Sequence, residues 1–88
     1  MKHEIAGLPA EFILGLPNIS LIGNNKIDII NHRGLKNYSE KKVVISSKIG
    51  DLNIEGDKLL IKEISSENIK IEGNISAVSF TNLRHRSD

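Results

Sequence analysis

Cysteine and tryptophan are both absent from this 88-residue chain. Without cysteine the protein can have neither a disulfide nor a thiolate metal site, and thiol catalysis is excluded as well. Aromatic residues are scarce, since only Phe12, Tyr38 and Phe80 occur. The core must therefore be built from Ile, Leu and Val, and this reliance on β-branched residues favours strands. A chain of this length is expected to form one small domain with a modest core.

An excess of charge of one sign is also lacking, because 12 basic and 11 acidic residues leave a net charge of +1. No basic stripe is available to neutralise phosphates, so nucleic acid is not expected as a partner. The one basic cluster, Arg84-His85-Arg86, belongs to a predicted flexible tail over residues 83–88. Glycines and prolines interrupt the apolar stretches of residues 1–17. That segment predicts neither a signal peptide nor a membrane span, so no direct membrane insertion is expected.

Residues 1–17 form a predicted N-terminal segment in which two Leu-Pro pairs flank AEFILG. Pro9 is placed for the first turn of a short helix over residues 9–15, and Pro17 would end it. A helix of this length is marginal alone and must dock on the rest of the protein.

Beyond this segment the hydrophobic period becomes two, as in NISLIG and KIDIIN. Further short apolar runs follow at close spacing, with turn signals at residues 48–51 and 65–67 and at Gly56 and Gly73. Strands this close cannot be joined by helical crossovers, so residues 18–82 predict a single all-β domain with mostly antiparallel strands. The expected architecture is a small curved meander that closes into a roll, a barrel or a sandwich.

An internal repeat leaves a second architecture open. LNIEG at residues 52–56 reappears as IKIEG at residues 69–73. Short repeats of this kind can indicate a β-solenoid, which is the alternative architecture. The pattern occurs only twice and does not extend to residues 18–45, so the antiparallel sheet is preferred.

Alternation of apolar and polar residues predicts which side chains face the core. The inward set comprises Ile27, Ile29, Leu52, Ile54, Leu59, Ile61, Ile69 and Ile71. Acidic residues on the outward side stand close to lysines, which predicts solvated cross-strand pairs. Four apolar residues fall on the outward side as well, namely Ile30, Val44, Leu60 and Val78. Either the closing sheet or the N-terminal helix covers them, or they form a partner-binding face.

Catalytic and cofactor chemistry find little support in the sequence. The histidines, His3, His32 and His85, lack the spacing that places two zinc ligands on one face. No glycine-rich loop has phosphate-binding spacing, and no serine has a neighbouring base. The sequence therefore predicts no catalytic, cofactor-binding or metal-binding residues, and no enzyme.

The stretch Asn31-His32-Arg33-Gly34 joins two predicted strands and could be a polar turn or a binding loop. Asn and Gly are turn formers, so Asn31 can bond the backbone while Gly34 adopts a positive φ. A bend would expose His32 and Arg33, which are expected to be dispensable for folding and to contribute to recognition of a protein partner. The predicted partner-binding residues are Ile30, Asn31, His32, Arg33, Val44 and Leu60.

Several short motifs follow one another between residue 8 and residue 80. They are Leu8-Pro9, Leu16-Pro17, Gly23-Asn24, Asn31-His32-Arg33-Gly34, Gly50, Ile54-Glu55-Gly56 and Ile71-Glu72-Gly73. In this order and spacing they resemble the YabP/YqfC family of sporulation proteins, and more closely its YqfC branch.

The resemblance implies a role in endospore formation, in the mother cell of a Gram-positive spore former. It also implies a membrane-bound partner of the YqfD kind, with the chain cytoplasmic or peripheral at a membrane through that partner. The family supplies no catalytic residues to carry over. Two functions therefore stand: a non-enzymatic interaction module within a membrane-associated assembly, or a self-assembling structural protein that forms rings or filaments. Exposed strand edges would permit either, including a homo-oligomer.

Overall fold

A computed structural model describes residues 15–83 of the chain, and all regular secondary structure in this part is β-strand. The strands are β1 (Asn18–Ile22), β2 (Lys26–Ile30), β3 (Leu35–Tyr38), β4 (Lys42–Ser46), β5 (Asp51–Ile64) and β6 (Asn68–Thr81). The predicted all-β class is thereby confirmed for the described residues. The predicted helix lies outside them except for Gly15, which is in a turn, and the predicted basic tail lies outside them beyond residue 83.

All six strands belong to one sheet with the order β1-β2-β6-β5-β4-β3. Every neighbouring pair is antiparallel, which is incompatible with the solenoid alternative. The expected meander is wrong in its strand order, because β2 lies beside β6 and not beside β3. Within residues 15–83 the outer strands β1 and β3 do not pair with each other. The sheet is therefore open, and the expected closure into a barrel or sandwich is not confirmed.

The turns predicted at Gly56 and Gly73 are also wrong, because both glycines lie inside long strands. β5 and β6 each span 14 residues, and their pairing shifts register near these glycines. A Cβ on Gly56 would collide with the carbonyl oxygen of Asn74, and one on Gly73 would lie 2.7 Å from the carbonyl oxygen of Lys58. Bulges of this kind bend a strand without ending it. The two glycines thus allow the β5 and β6 backbones to approach closely where they bend.

The sequence repeat has a structural basis in two equivalent strand pairings. The copy at residues 52–56 pairs with β4, and the copy at residues 69–73 lies beside β2. In both, the motif isoleucine faces an apolar residue and the motif glutamate faces a lysine: Ile54 with Val43, Glu55 with Lys42, Ile71 with Ile27 and Glu72 with Lys26. The motif glycines also donate equivalent hydrogen bonds, Gly56 N to Lys41 O and Gly73 N to Asn25 O.

The sheet therefore consists of two related halves that share the long β5–β6 hairpin. We call β1, β2, residues 68–72 of β6 and residues 60–64 of β5 the first half. The second half is β3, β4, residues 51–57 of β5 and residues 74–81 of β6.

Ten apolar side chains from both halves form one buried cluster: Ile27, Ile29, Val43, Ile45, Leu52, Ile54, Leu59, Ile69, Ile71 and Ile75. Seven members of the predicted inward set are among them, while Ile61 is only partly buried and packs against the cluster. Alternation thus identified the inward face correctly, because every strand of an antiparallel sheet turns alternate side chains to one side.

The four apolar residues predicted on the outward side have different surroundings. Ile30 and Val44 are half-buried, whereas Leu60 is 52% exposed, so no strand of residues 15–83 covers it. Val78 pairs with Ile54, which places it on the inward face, yet it remains 36% exposed. The assignment of Val78 to the outward side was wrong because the bulges in β5 and β6 interrupt the period of two.

Candidate partner-binding site at the β2–β3 crossover

Residues 31–34 carry the chain from β2 in the first half to β3 in the second. Asn31 N donates a hydrogen bond to Glu67 O at 2.8 Å, and Arg33 N donates to Ser46 O at 2.7 Å. Ser46 N in turn donates to Gly34 O at 2.8 Å. The crossover is thus bonded to the β5–β6 turn on one side and to the end of β4 on the other.

Two residues of the crossover have positive φ angles, 71° at Asn31 and 126° at Gly34. Asn31 Nδ2 also donates to Leu16 O at 3.0 Å. Both expectations for these residues, the backbone bond of Asn31 and the positive φ of Gly34, are therefore confirmed. A Cβ built on Gly34 meets no atom within 4 Å, so the backbone conformation alone favours glycine there.

His32 is buried, with only 9% of its surface exposed. Its Nδ1 accepts a hydrogen bond from Gly34 N at 2.9 Å, and its Nε2 lies 2.8 Å from Ser65 O. Because a backbone N–H can only donate, Nδ1 must be the accepting nitrogen and Nε2 carries the proton that is donated to Ser65 O. The ring therefore links the crossover to the turn between β5 and β6.

The expectation that His32 projects into solvent is wrong, because its ring is buried, and this burial argues against the expectation that it is dispensable for folding. The sequence indicated a bend but not that the β5–β6 turn would pack against it, since this contact joins residues 33 positions apart. Arg33 is exposed, as expected. Recognition of a partner by Asn31 and Arg33 stays a prediction, and His32 is positioned to support their backbone.

The remaining predicted binding residues lie at different distances from the crossover. Ile30 directly precedes it, opposite Asn68 on β6. Val44 is on β4, close to Ser46, which bonds the crossover directly. Leu60 lies elsewhere, on β5 opposite Glu72. The structure therefore brings Ile30 and Val44 toward the crossover and separates Leu60 from it.

A second exposed feature, the β6 edge, was missed by the sequence reasoning. Residues 74–81 of β6 pair with β5 on one side, and no other strand of residues 15–83 pairs with them on the other. Residues 76–79 are all exposed. The predicted turn at Gly73 divided β6 into two short strands, so NISAVSFT was not predicted to be one unpaired side of a long strand. The sequence feature that could have indicated this edge is the absence of charged residues from residues 74–81.

Large apolar side chains are also exposed on other outer strands of the two halves. Leu21 faces Ile27, Leu35 faces Ile45, and Ile64 faces Ile69. In each pair the second residue is buried while the first is exposed. The apolar face of the sheet therefore continues outward beyond the buried core.

A buried polar network was also not predicted. Asp51 is only 4% exposed and accepts hydrogen bonds from Lys36 Nζ at 2.9 Å and Asn82 Nδ2 at 2.8 Å. Asn53, also buried, donates from Nδ2 to Thr81 Oγ1 at 2.8 Å. These bonds tie β3 and the end of β6 to the start of β5. The expectation of solvated pairs is confirmed for Lys42–Glu55 and Glu63–Lys70, both exposed at 3.9 Å, whereas the Lys36–Asp51 pair has a buried carboxylate.

Residues 15–83 contain no group of three or more His, Cys, Asp or Glu side chains that could hold a metal ion. Both ring nitrogens of His32 are already engaged by backbone groups. No helix within these residues is long and apolar enough to cross a membrane.

A sequence model of the YabP family matches residues 15–87 of the chain. The chain belongs to the YabP family. A Bacillus subtilis (strain 168) protein described as uncharacterized protein YqfC is 38% identical over 73 residues, an alignment that covers 83% of this chain and 78% of that protein. The YabP/YqfC resemblance is thereby confirmed, and it suggests a sporulation-related protein.

Four of the motifs that carried the YabP-family resemblance lie at turns, at the crossover or at bends of the described backbone, whereas Leu8-Pro9 lies outside the described residues. Gly23-Asn24 forms the β1–β2 turn, and Asn24 O accepts a hydrogen bond from Ile75 N just beyond the β6 bend. Residues 31–34 form the crossover, and the two Ile-Glu-Gly motifs lead into the bends of β5 and β6. The fold therefore explains these four motifs, and only Arg33 among the crossover side chains is exposed.

Proposed function

We propose that this YabP-family protein is a non-enzymatic interaction module that acts in a membrane-associated assembly during endospore formation. The proposed partner is a membrane-bound sporulation protein of the YqfD kind. The proposed location is the mother-cell cytoplasm, peripheral at a membrane through that partner.

The observation that carries this proposal is the hydrogen-bonded crossover, whose backbone is bonded on both sides and whose Arg33 side chain is exposed. Hydrogen bonds to Glu67, Ser46 and Ser65 hold residues 31–34 in place. A binding side chain on a fixed backbone loses little conformational entropy when a partner binds. Family membership supports the sporulation setting. Engagement of both His32 nitrogens by the backbone supports a binding role for the loop over a catalytic one.

The test is capture of membrane proteins from sporulating cells with the tagged full chain. We expect the wild-type protein to retain a membrane protein of the YqfD kind, and Arg33→Ala to retain much less of it and to lower spore yield. Lys62→Ala removes another exposed cation, on β5, and is the matched control that should behave as wild type. Equal capture and equal spore yield for wild type and Arg33→Ala would show that the crossover is not the contact.

A second candidate function is a self-assembling structural protein that forms rings or filaments. The observation that favours it is the presence of outer strands with exposed apolar side chains, such as Leu21 on β1 and Leu35 on β3. Light scattering after size-exclusion chromatography across concentrations distinguishes the two functions. Discrete monomers or dimers support the interaction module, whereas open-ended growth supports the structural polymer.

A further inference from the structure

The β6 edge lacks the features by which strand edges usually prevent pairing with other chains. Such edges commonly carry a lysine, a proline or an inward-pointing charge. Residues 74–81 contain none of these and no charged residue of either sign. Residues 76–79 are exposed on both faces, including Val78 on the inward face at 36%. Backbone groups and an apolar side chain are thus accessible together along one strand.

Charge distinguishes this edge from other outer strands of the sheet. When a strand pairs antiparallel with the same strand of a second copy, each residue near the two-fold axis lies close to the same residue of that copy. A charged strand therefore brings like charges together. The outer segment of β5 carries Lys62 and Glu63, and β3 carries Lys36. β1 is uncharged but has only 5 residues and directly follows Pro17. Of these two uncharged outer segments, the β6 edge is longer than β1.

We propose that residues 76–81 of β6, beyond the bond from Ile75 N to Asn24 O, pair antiparallel with the same residues of a second copy and form a closed two-fold dimer. The second halves of the two molecules then form one continuous sheet. A two-fold axis perpendicular to this sheet keeps each side chain on its own face. Odd-numbered residues of one copy must therefore lie opposite odd-numbered residues of the other, and even-numbered opposite even-numbered. If the two-fold axis passes through Ala77 or Val78, all of the exposed residues 76–79 lie within the new strand pairing. The inference goes beyond the proposed function and does not depend on a sporulation partner.

The closed two-fold arrangement also distinguishes this dimer from a filament. An isologous contact uses the same surface on both subunits and is saturated once two copies have met. Self-pairing at β6 alone therefore ends at the dimer. Continued growth requires a second contact, for which β1 is the other uncharged edge.

The first test measures the mass of the purified full chain by light scattering across concentrations. We expect a monomer–dimer equilibrium, and Ala77→Lys should raise the dimer Kd more than about ten-fold by placing like charges beside each other. Ser20→Lys introduces the same charge at an exposed position of β1 and should leave the Kd unchanged. Circular dichroism should show the same strand content in all three proteins. A wild-type monomer at every concentration, or disruption by Ser20→Lys and not by Ala77→Lys, would overturn the proposal.

A second test uses the absence of cysteine from the chain, because a single substitution to cysteine then introduces the only thiol. Cα atoms of directly opposed antiparallel residues lie about 4.5–5.5 Å apart, within the range that a disulfide spans. Under mild oxidation Ala77→Cys or Val78→Cys should give a covalent dimer, whereas Ser20→Cys should stay monomeric on a denaturing gel. Equal cross-linking at all three positions would indicate random collision and contradict the β6 pairing.

Discussion

At the scale of single residues, His32 shows how one side chain connects distant parts of this chain. Its ring accepts a hydrogen bond from Gly34 N and donates one to Ser65 O. The second contact crosses between the β2–β3 crossover and the β5–β6 turn. A buried polar group that loses its partner costs more than the bond itself contributed, so this ring is important for stability.

His32→Ala should therefore lower the free energy of unfolding by about 1–3 kcal/mol, because the Gly34 N–H and Ser65 carbonyl lose their partner. Arg33→Ala is the matched control and should change stability by less than about 0.5 kcal/mol. Urea denaturation followed by circular dichroism measures both. If the two variants are equally stable, the ring bonds do not contribute as the geometry indicates.

Gly34 is constrained by its backbone conformation and not by its neighbours. Its φ of 126° is unfavourable for residues with a Cβ, while no atom lies within 4 Å of the position that a Cβ would occupy. Gly34→Ala and Gly34→Val should both lower the stability by about 1 kcal/mol or more. Thermal unfolding measures the two losses. A much larger loss for Val than for Ala would point to crowding and contradict the conformational explanation.

At the scale of elements, the bends of β5 and β6 are the features on which the architecture depends. Both strands continue through a register shift and extend pairing into both halves of the sheet. Gly56 and Gly73 permit this because the opposite backbone occupies the space of a side chain. Without close approach at these points the two halves could not share one hairpin.

Gly56→Ala should destabilise the protein by about 3 kcal/mol, more than Gly34→Ala, because the new methyl group overlaps the carbonyl of Asn74. Glu55→Ala, at the preceding residue, removes only an exposed ion pair and should cost less than about 1 kcal/mol. Chemical denaturation measures the loss in free energy of unfolding for both variants. A Gly56→Ala variant as stable as Glu55→Ala would show that the bend relaxes easily.

At the scale of the whole molecule, the two halves contribute to one buried cluster and share two strands. Within residues 15–83 neither half has a separate core, so unfolding should be cooperative. Ile54 and Ile71 occupy equivalent positions of the repeat, and both are completely buried. The repeat therefore provides an internal comparison of the two halves.

Ile54→Ala and Ile71→Ala should each lower the free energy of unfolding by about 2–5 kcal/mol. In both cases a single transition should be seen by circular dichroism and by amide hydrogen exchange. Leu60→Ala, at a half-exposed position of β5, is the control and should have a much smaller effect. Early loss of exchange protection in one half alone would contradict a shared core.

The sequence by itself determined the all-β class, the inward face and the family. Alternation at Ile27, Ile29, Ile69 and Ile71 predicted the core because the period of a strand is a local property. The positive φ of Gly34 was predictable for the same reason, since it depends on the residue's own backbone. The ordered motifs identified the family before their structural roles were known.

Only the tertiary structure decided the strand order, the continuity of β5 and β6, and the environment of His32 and Asp51. In the sequence a glycine at a turn and a glycine at a bulge look alike, and only the neighbouring backbone distinguishes them. His32 became buried because a turn more than thirty residues away packs against it, a contact that no local pattern encodes. The exposed β6 edge likewise follows from which strands pair, because an unpaired edge is a property of the whole sheet.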